Sequence, residues 1–263
     1  MRALQTAATG MMAQELNVQV ISNNIANQRT TGYKRQRAQF QDLMYETQRR
    51  PGSATSDQGN QVPAGITIGS GVKTASTPRA MSQGPLNPTE KDYDVAIRGE
   101  GFFRIRRPDG TIAYTRDGSF ELDSQGQLVT ADGYLVEPGI TVPQNASKVT
   151  INAQGQIQAT IPGQTQPQDL GQLQLARFVN KVGLESIGDN LFVETPASGQ
   201  PIDGTAGSEG FGTLQQAYLE EANVNAVTEI SALIAAQRAY EMNARIITAA
   251  DQMLSSTTQM FRG

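Results

Sequence analysis

Asp92 and Asp94, separated by Tyr93, are the closest approach in this chain to a pair of catalytic carboxylates. In a strand, residues two apart project from the same face. The carboxyls of glycosidases instead stand on facing elements several ångströms apart. Asp109, Asp117 and Asp132 each precede a glycine, where an Asp side chain ordinarily closes a turn on its own backbone. Gly99-Glu100-Gly101 is a fragment of a glycine-rich phosphate loop, but no third glycine follows and the context is strand and turn. Asn145-Ala146-Ser147 matches the glycosylation sequon, a pattern short enough to arise by chance. Asp203 and Glu209 lie among Gly and Ser without the ligand spacing of a calcium loop. Cys, His and Trp do not occur. Zinc, iron–sulfur and haem sites built on those side chains are therefore excluded, as are Cys–His and Ser–His nucleophiles. The residues predict no catalytic centre, no metal and no cofactor.

Apolar residues make up 38% of the 263, below the usual globular share of about 45–50%. Thin cores and extensive partner-facing surface follow. The net charge of −4 gives no global attraction to nucleic acid or anionic lipid. Arg29, Lys34, Arg35, Arg37, Arg49 and Arg50 form a local basic stretch, read as a solvated face without the aromatic platforms of a nucleic-acid groove. No run approaches the eighteen or so apolar residues of a membrane span, so no membrane insertion is expected. Gln5, Thr6 and Thr9 interrupt any secretory h-region.

The organising signal lies at the two ends. Leu4, Ala7, Met11, Gln14, Val18, Ile21 and Ile25 recur at spacings of three and four. The rhythm returns in Ala226, Ile230, Leu233, Gln237, Tyr240, Ala244, Ile247, Asp251, Leu254, Thr258 and Phe261. Each series is a coiled-coil seam, too narrow to bury itself. One helix is expected from about Arg2 to Ile25, closed by Asn-rich sequence, and another from beyond Asn225 to about Phe261. Pairing the two would still leave Met12, Val20, Ile234, Ile246 and Met253 facing outward, which calls for neighbouring subunits.

Phe40, Leu43 and Met44 share one helical face and predict a short connector helix ending before Pro51. The Gly-, Ser- and Pro-containing stretch that follows cannot form a core of its own. Ile66-Thr67-Ile68 alternates with period two, so a long hairpin arm is expected. From Met81 to Gly212 turn signals recur at Asp109-Gly110, Asp117-Gly118, Gln125-Gly126 and Asp132-Gly133. Between them lie short strand runs, Phe102–Arg106, Ile112–Thr115, Ser119–Leu122 and Leu128–Thr130, the cadence of an antiparallel meander. The fold class is α+β. Residues 1–35 and 220–263 are expected to form a discontinuous coiled-coil domain, 36–75 a connector helix and extended arm, and 76–219 an antiparallel β domain.

Three separated motifs carry a resemblance. Ser22-Asn23-Asn24-Ile25-Ala26-Asn27 with Thr31-Gly32-Tyr33-Lys34 resembles the N-terminal signature of the bacterial flagellar rod and hook proteins. Asn223-Val224-Asn225, Gln237-Arg238-Ala239-Tyr240-Glu241 and Asp251-Gln252-Met253-Leu254 resemble its C-terminal one. Asp94 to Phe103, Tyr114 to Phe120 and Gly183 to Gly188 resemble its β domain. The arm, with Pro51, Gly52, Val62, Pro63, Gly65, Gly69 and Gly71, resembles the insert of distal rod members; proximal rod proteins lack it, and hook proteins are usually longer. The resemblance implies a homopolymeric, straight and stiff helical tube that carries torque and encloses the export channel. Its implied partners are proximal rod proteins, hook or hook-junction subunits, the P and L ring bushing, the rod cap and the type III export apparatus. Location in the flagellar basal body, reached without a signal peptide, follows from the same likeness. The alternatives are a hook or proximal rod subunit and, in another class, a carbohydrate-binding β module on a coiled-coil stalk. The second is disfavoured by the absence of Trp and by 6% aromatic content.

Overall fold

A computed structural model describes residues 2–52, 63–164 and 166–260. It divides into two compact units. One comprises residues up to Ile25, Gln36–Pro78 and the chain from Asn225 onward; the other comprises Ala26–Arg35 and Arg79–Val224.

The first unit holds two long helices, α1 (Arg2–Ala26) and α2 (Ala226–Met260). Asn225 starts α2: its Oδ1 accepts the backbone N–H of Thr228 at 3.1 Å, satisfying a donor that has no partner within the helix. The Glu229 carboxylate in the first turn complements the positive end of the helix dipole. Between α1 and α2, Asn24 Nδ2 donates to Glu229 Oε2 at 3.1 Å, and a Cβ on Gly10 would lie 3.0 Å from Asn243 Nδ2. Stepping back from Asn24 to Gly10 and forward from Glu229 to Asn243 covers equal lengths of helix, so these contacts run antiparallel.

The stripe buried on α2 is Glu229, Ala236 and Ala250, with half-buried Asn243 falling between at the same seven-residue spacing. That is one position ahead of the stripe expected from the large apolar residues. Ile230, Tyr240 and Leu254 are instead 48%, 43% and 43% exposed. On α1, Ala7, Ala13, Val20, Ile21 and Asn24 are buried; Val20, expected to face outward, turns inward. The physical reason is size. Gly10 and the alanines permit close approach, and the bulky side chains are displaced to the flanks.

Among the described residues the arm is a two-stranded ribbon, and strands stand where a connector helix is expected. Strand β1 (Gln39–Asp42) and strand β2 (Tyr45–Arg49) occupy its place; β2 pairs with β3 (Ile66–Gly69) and β1 with β4 (Val72–Ser76), both antiparallel. The three-four spacing of Phe40, Leu43 and Met44 is overridden because β-favouring Phe40, Tyr45 and Thr47 find partners across the ribbon. Met44, at the break between β1 and β2, is 86% exposed. The middle of the ribbon meets α1, where the Val72 N–H donates to Thr9 Oγ1 at 3.3 Å. Gly71 sits there with φ of +118°, a conformation in which a side chain would be strained and would also strike Thr9.

Every strand pair of the second unit is antiparallel. Its largest sheet has nine strands. Glu185–Gly188, Leu191–Val193, Ile112–Thr115, Phe102–Arg106, Leu135–Val136, Leu128–Thr130 and Phe120–Leu122 follow one another, and Gln174–Arg177 joins Phe102–Arg106 to Ile202–Thr205. Lys148–Ile151, Gln156–Thr160 and Gln168–Gln172 form a second sheet. Alternation along Phe102–Arg106 sends Phe103 and Ile105 into one core, with Phe120, Leu128 and Leu175. It sends Phe102 into another, with Tyr114, Phe178 and Phe192. Edge-to-face ring pairs anchor both: Phe103 with Phe120 at 5.0 Å and Tyr114 with Phe178 at 4.8 Å. Burial pushes the Tyr114 hydroxyl up to about 12.

Candidate assembly site

Two of the candidate aspartates close turns on the backbone. Asp109 Oδ1 accepts the Thr111 N–H at 2.9 Å and Asp117 Oδ1 the Ser119 N–H at 3.0 Å, both turn closures. Asp94 is buried, and its carbonyl accepts the Ala217 N–H. Among the described residues no group of three Asp or Glu is placed to hold a metal ion.

The motif residues near the two ends meet in two polar clasps, one in each unit. In the helical unit, Asn24 bonds the backbone of Gln36 in both senses: Nδ2 donates to the Gln36 carbonyl at 2.8 Å, and Oδ1 accepts its N–H at 2.9 Å. The same amide reaches Glu229, and both side chains are essentially inaccessible. A buried carboxylate without such bonds is expensive; with them it fixes one register of α1 against α2.

In the β unit, Gly32 makes the turn that delivers Lys34. Its φ is +68°, and a Cβ there would lie 2.8 Å from the Asp117 nitrogen, so only glycine fits. The Gly32 N–H donates to the Glu220 carbonyl. Lys34 is then buried, which removes it from the solvated basic face that the sequence suggested. Its Nζ pairs with Glu220 Oε1 at 2.5 Å and donates to the Ser82 carbonyl at 2.9 Å. Glu220 Oε1 also accepts the Gly84 N–H, while Oε2 stands 3.3 Å from Arg116 Nε. Arg116 spends Nη1 and Nη2 on the carbonyls of Gly101 and Gly99, at 2.8 and 2.7 Å. Two cations thus surround one carboxylate, and backbone oxygens take up the remaining donors. Burial draws both Lys34 and Arg116 below their ordinary pKa values while Glu220 opposes the shift. Asn223 finishes this clasp, accepting the Arg35 N–H at 2.7 Å and donating to the carbonyls of Ala80 and Ser82.

Of the other expected residues, Leu4, Met11, Val18 and Ile25 on α1 and Leu233, Ala244 and Ile247 on α2 are half-buried, and Ala7 and Ile21 are buried. Asn27 and Tyr33 are half-buried; Asn23, Asn225, Gln237, Arg238 and Glu241 are exposed. In the arm Pro51, Gly52 and Pro63 are exposed, while Gly65 and Gly69 are half-buried. Val62 and Phe261 lie outside the described residues. Sequence reasoning missed Glu220 and Glu229. The only signal was a charge set within an apolar rhythm, Tyr218-Leu219-Glu220 in a strand and Glu229 beside Ile230 in a helix.

Comparison with known proteins covers the same stretches. Family models match residues 4–34 (flagella basal body rod protein), 96–159 (flagellar hook protein FlgE/F/G D1 domain) and 215–260 (flagellar basal body rod FlgEFG protein, C-terminal). The flagellar basal-body rod protein FlgG of Caulobacter vibrioides is 56% identical over 99% of both chains. That of Borreliella burgdorferi is 46% identical over 100% of this chain and 99% of its own. A flagellar hook-basal body complex protein of Bacillus subtilis, FlhP, is 32% identical over 97% of each. End-to-end likeness of this order shows that the chain belongs to the FlgG family of flagellar basal-body rod proteins, structural subunits of the distal rod.

Proposed function

We propose that this chain polymerises head to tail into the straight tube of the distal rod, which passes torque outward and encloses the export channel. The observation that carries the reading is the placement of apolar surface on the helices. Met12, Ile234, Ile246 and Met253 stand exposed around a seam of small and polar residues. Isolated helices are marginal in water, so neighbouring copies supply the burial that one copy lacks. A repeated contact that does not close on itself generates a helical filament. In this reading α1 and α2 pair as a coiled coil within the polymer wall, and the arm bridges to neighbours and limits their sliding. The ends of the polymer meet proximal rod proteins and the hook or its junction, and the P and L rings surround it. The rod cap and the flagellar type III export apparatus serve its assembly.

Deletion of residues 47–72 tests the role given to the arm. Rods from the deletion variant, viewed by electron microscopy, are expected to bend; rods as straight as the parent's refute that role.

A further inference from the structure

Beside the seam, α1 and α2 border an open groove of about 710 Å³, lined by Glu15 and Val18 from α1 and by Gln237, Tyr240 and Glu241 from α2. Its floor is apolar and its rim carries two carboxylates. Glu15 is the single acidic residue of α1. The α1 cation, Arg2, is committed to Glu46. Among the described residues neither Glu15 nor Glu241 holds an ion pair. Two like charges therefore face one groove without an ion pair among the described residues, an arrangement that a cation entering from a neighbouring copy would relieve.

That cation is available on the same helix. Arg238 and Arg245, seven residues apart, share one face of α2 and likewise hold no ion pair among the described residues. Exposed Ile234 and Met242 flank them, which makes a ridge that is apolar and basic where the groove is apolar and acidic. Glu241 is within helical reach of Arg238 and Arg245, but exposed pairs of this kind are weak and leave each side chain available to a partly desolvated partner.

We propose that the Arg238–Arg245 ridge of one copy seats in the Glu15–Glu241 groove of the next. Groove and ridge adjoin along α2 without coinciding; mated head to tail, the ridge of one copy in the groove of the next, the contact is heterologous and propagates. The proposal rests on the rod reading above and adds the surfaces that mate.

The test uses full-length chains expressed in a flagellated strain lacking its own copy, with completed rods counted in purified basal bodies by electron microscopy. Groove reversal (E15K/E241K) and ridge reversal (R238E/R245E) each place like charges together, and completed rods are expected to fall about tenfold or more, since each 1.4 kcal/mol is tenfold. The quadruple variant restores opposite charges and should recover rods. Coexpression of the two double variants should also recover them, because each then accepts the other. Parental rod counts from both double variants overturn the groove–ridge contact and leave the rod reading intact. So does a quadruple variant that is exported at parental levels but builds no rods. A parental chain that is exported and never appears in basal bodies overturns the rod reading itself, and the proposal with it.

Discussion

Replacing Lys34 by Met keeps the aliphatic stem and deletes the ammonium. The change removes the 2.5 Å pair with Glu220 and the 2.9 Å bond to the Ser82 carbonyl. Glu220, with no exposed side-chain surface, keeps only the Gly84 N–H and the more distant Arg116. Stripping one partner from a buried pair costs about 3–5 kcal/mol, because the remaining charge stays uncompensated. For a unit of this size that lowers the melting temperature by roughly 6–20 °C. Glu220→Gln should cost at least as much, since it leaves Lys34 and Arg116 as two buried cations. The K34M/E220Q double variant should be less destabilised than the sum of the single changes by roughly 2 kcal/mol. Near-ultraviolet circular dichroism of the full chain during urea unfolding reports on the right unit, because Tyr93, Tyr114 and Tyr134 pack in its cores. A K34M chain within about 0.5 kcal/mol of the parent, or strict additivity in the double variant, would refute the reasoning.

The other expectations concern single positions. Asn24→Ala removes two bonds to Gln36 and one to Glu229; about 2–4 kcal/mol of helical-unit stability should be lost, read from the urea midpoint at 222 nm. Gly32→Val forces a β-branched residue to a φ of +68° and should lower the stability of the β unit by about 1–3 kcal/mol, read from urea unfolding. Asn225→Ala deletes the cap of α2 and should cost about 1 kcal/mol, seen as reduced helicity on mild heating. Tyr114 ionises at about 12 in the folded chain and near 10.0 unfolded. The unfolded chain releases that proton first as pH rises, so stability should fall between pH 10 and 12 by roughly 2–3 kcal/mol. Tyr114→Phe should flatten that decline, and an unchanged slope in this variant would count against the burial argument.

The β unit was legible because its turns announce themselves: Asp-Gly and Gln-Gly steps place strand ends to within a residue at Phe102–Arg106, Ile112–Thr115 and Leu128–Thr130. The stretch around β1 and β2 was not, because Phe40, Leu43 and Met44 match a helical face by spacing alone; the partners that decide the matter, Ile66–Ser76, lie beyond the intervening segment. On α2 the seven-residue period is present, and the most buried positions fall one residue ahead of the expected seam. Bulky Ile230 and Tyr240 looked like the buried positions, yet the helix turns Ala236 and Ala250 inward. Lys34 and Glu220 are 186 residues apart, and no local pattern can report that a cation in a basic stretch will be buried against a strand so distant.

That separation has a consequence for timing. A chain that leaves a narrow channel N-terminus first presents Lys34 early and Glu220 only after almost all of the β unit has followed. Until then the turn at Gly32 lacks its acceptor and the ammonium lacks its counter-charge, so residues 26–35 have nowhere to settle. The second clasp waits still longer, since Asn24 and Glu229 stand even further apart in the chain. Length of chain delivered, more than local propensity, therefore sets the moment at which the subunit locks. A partly emerged chain remains pliable and able to slide.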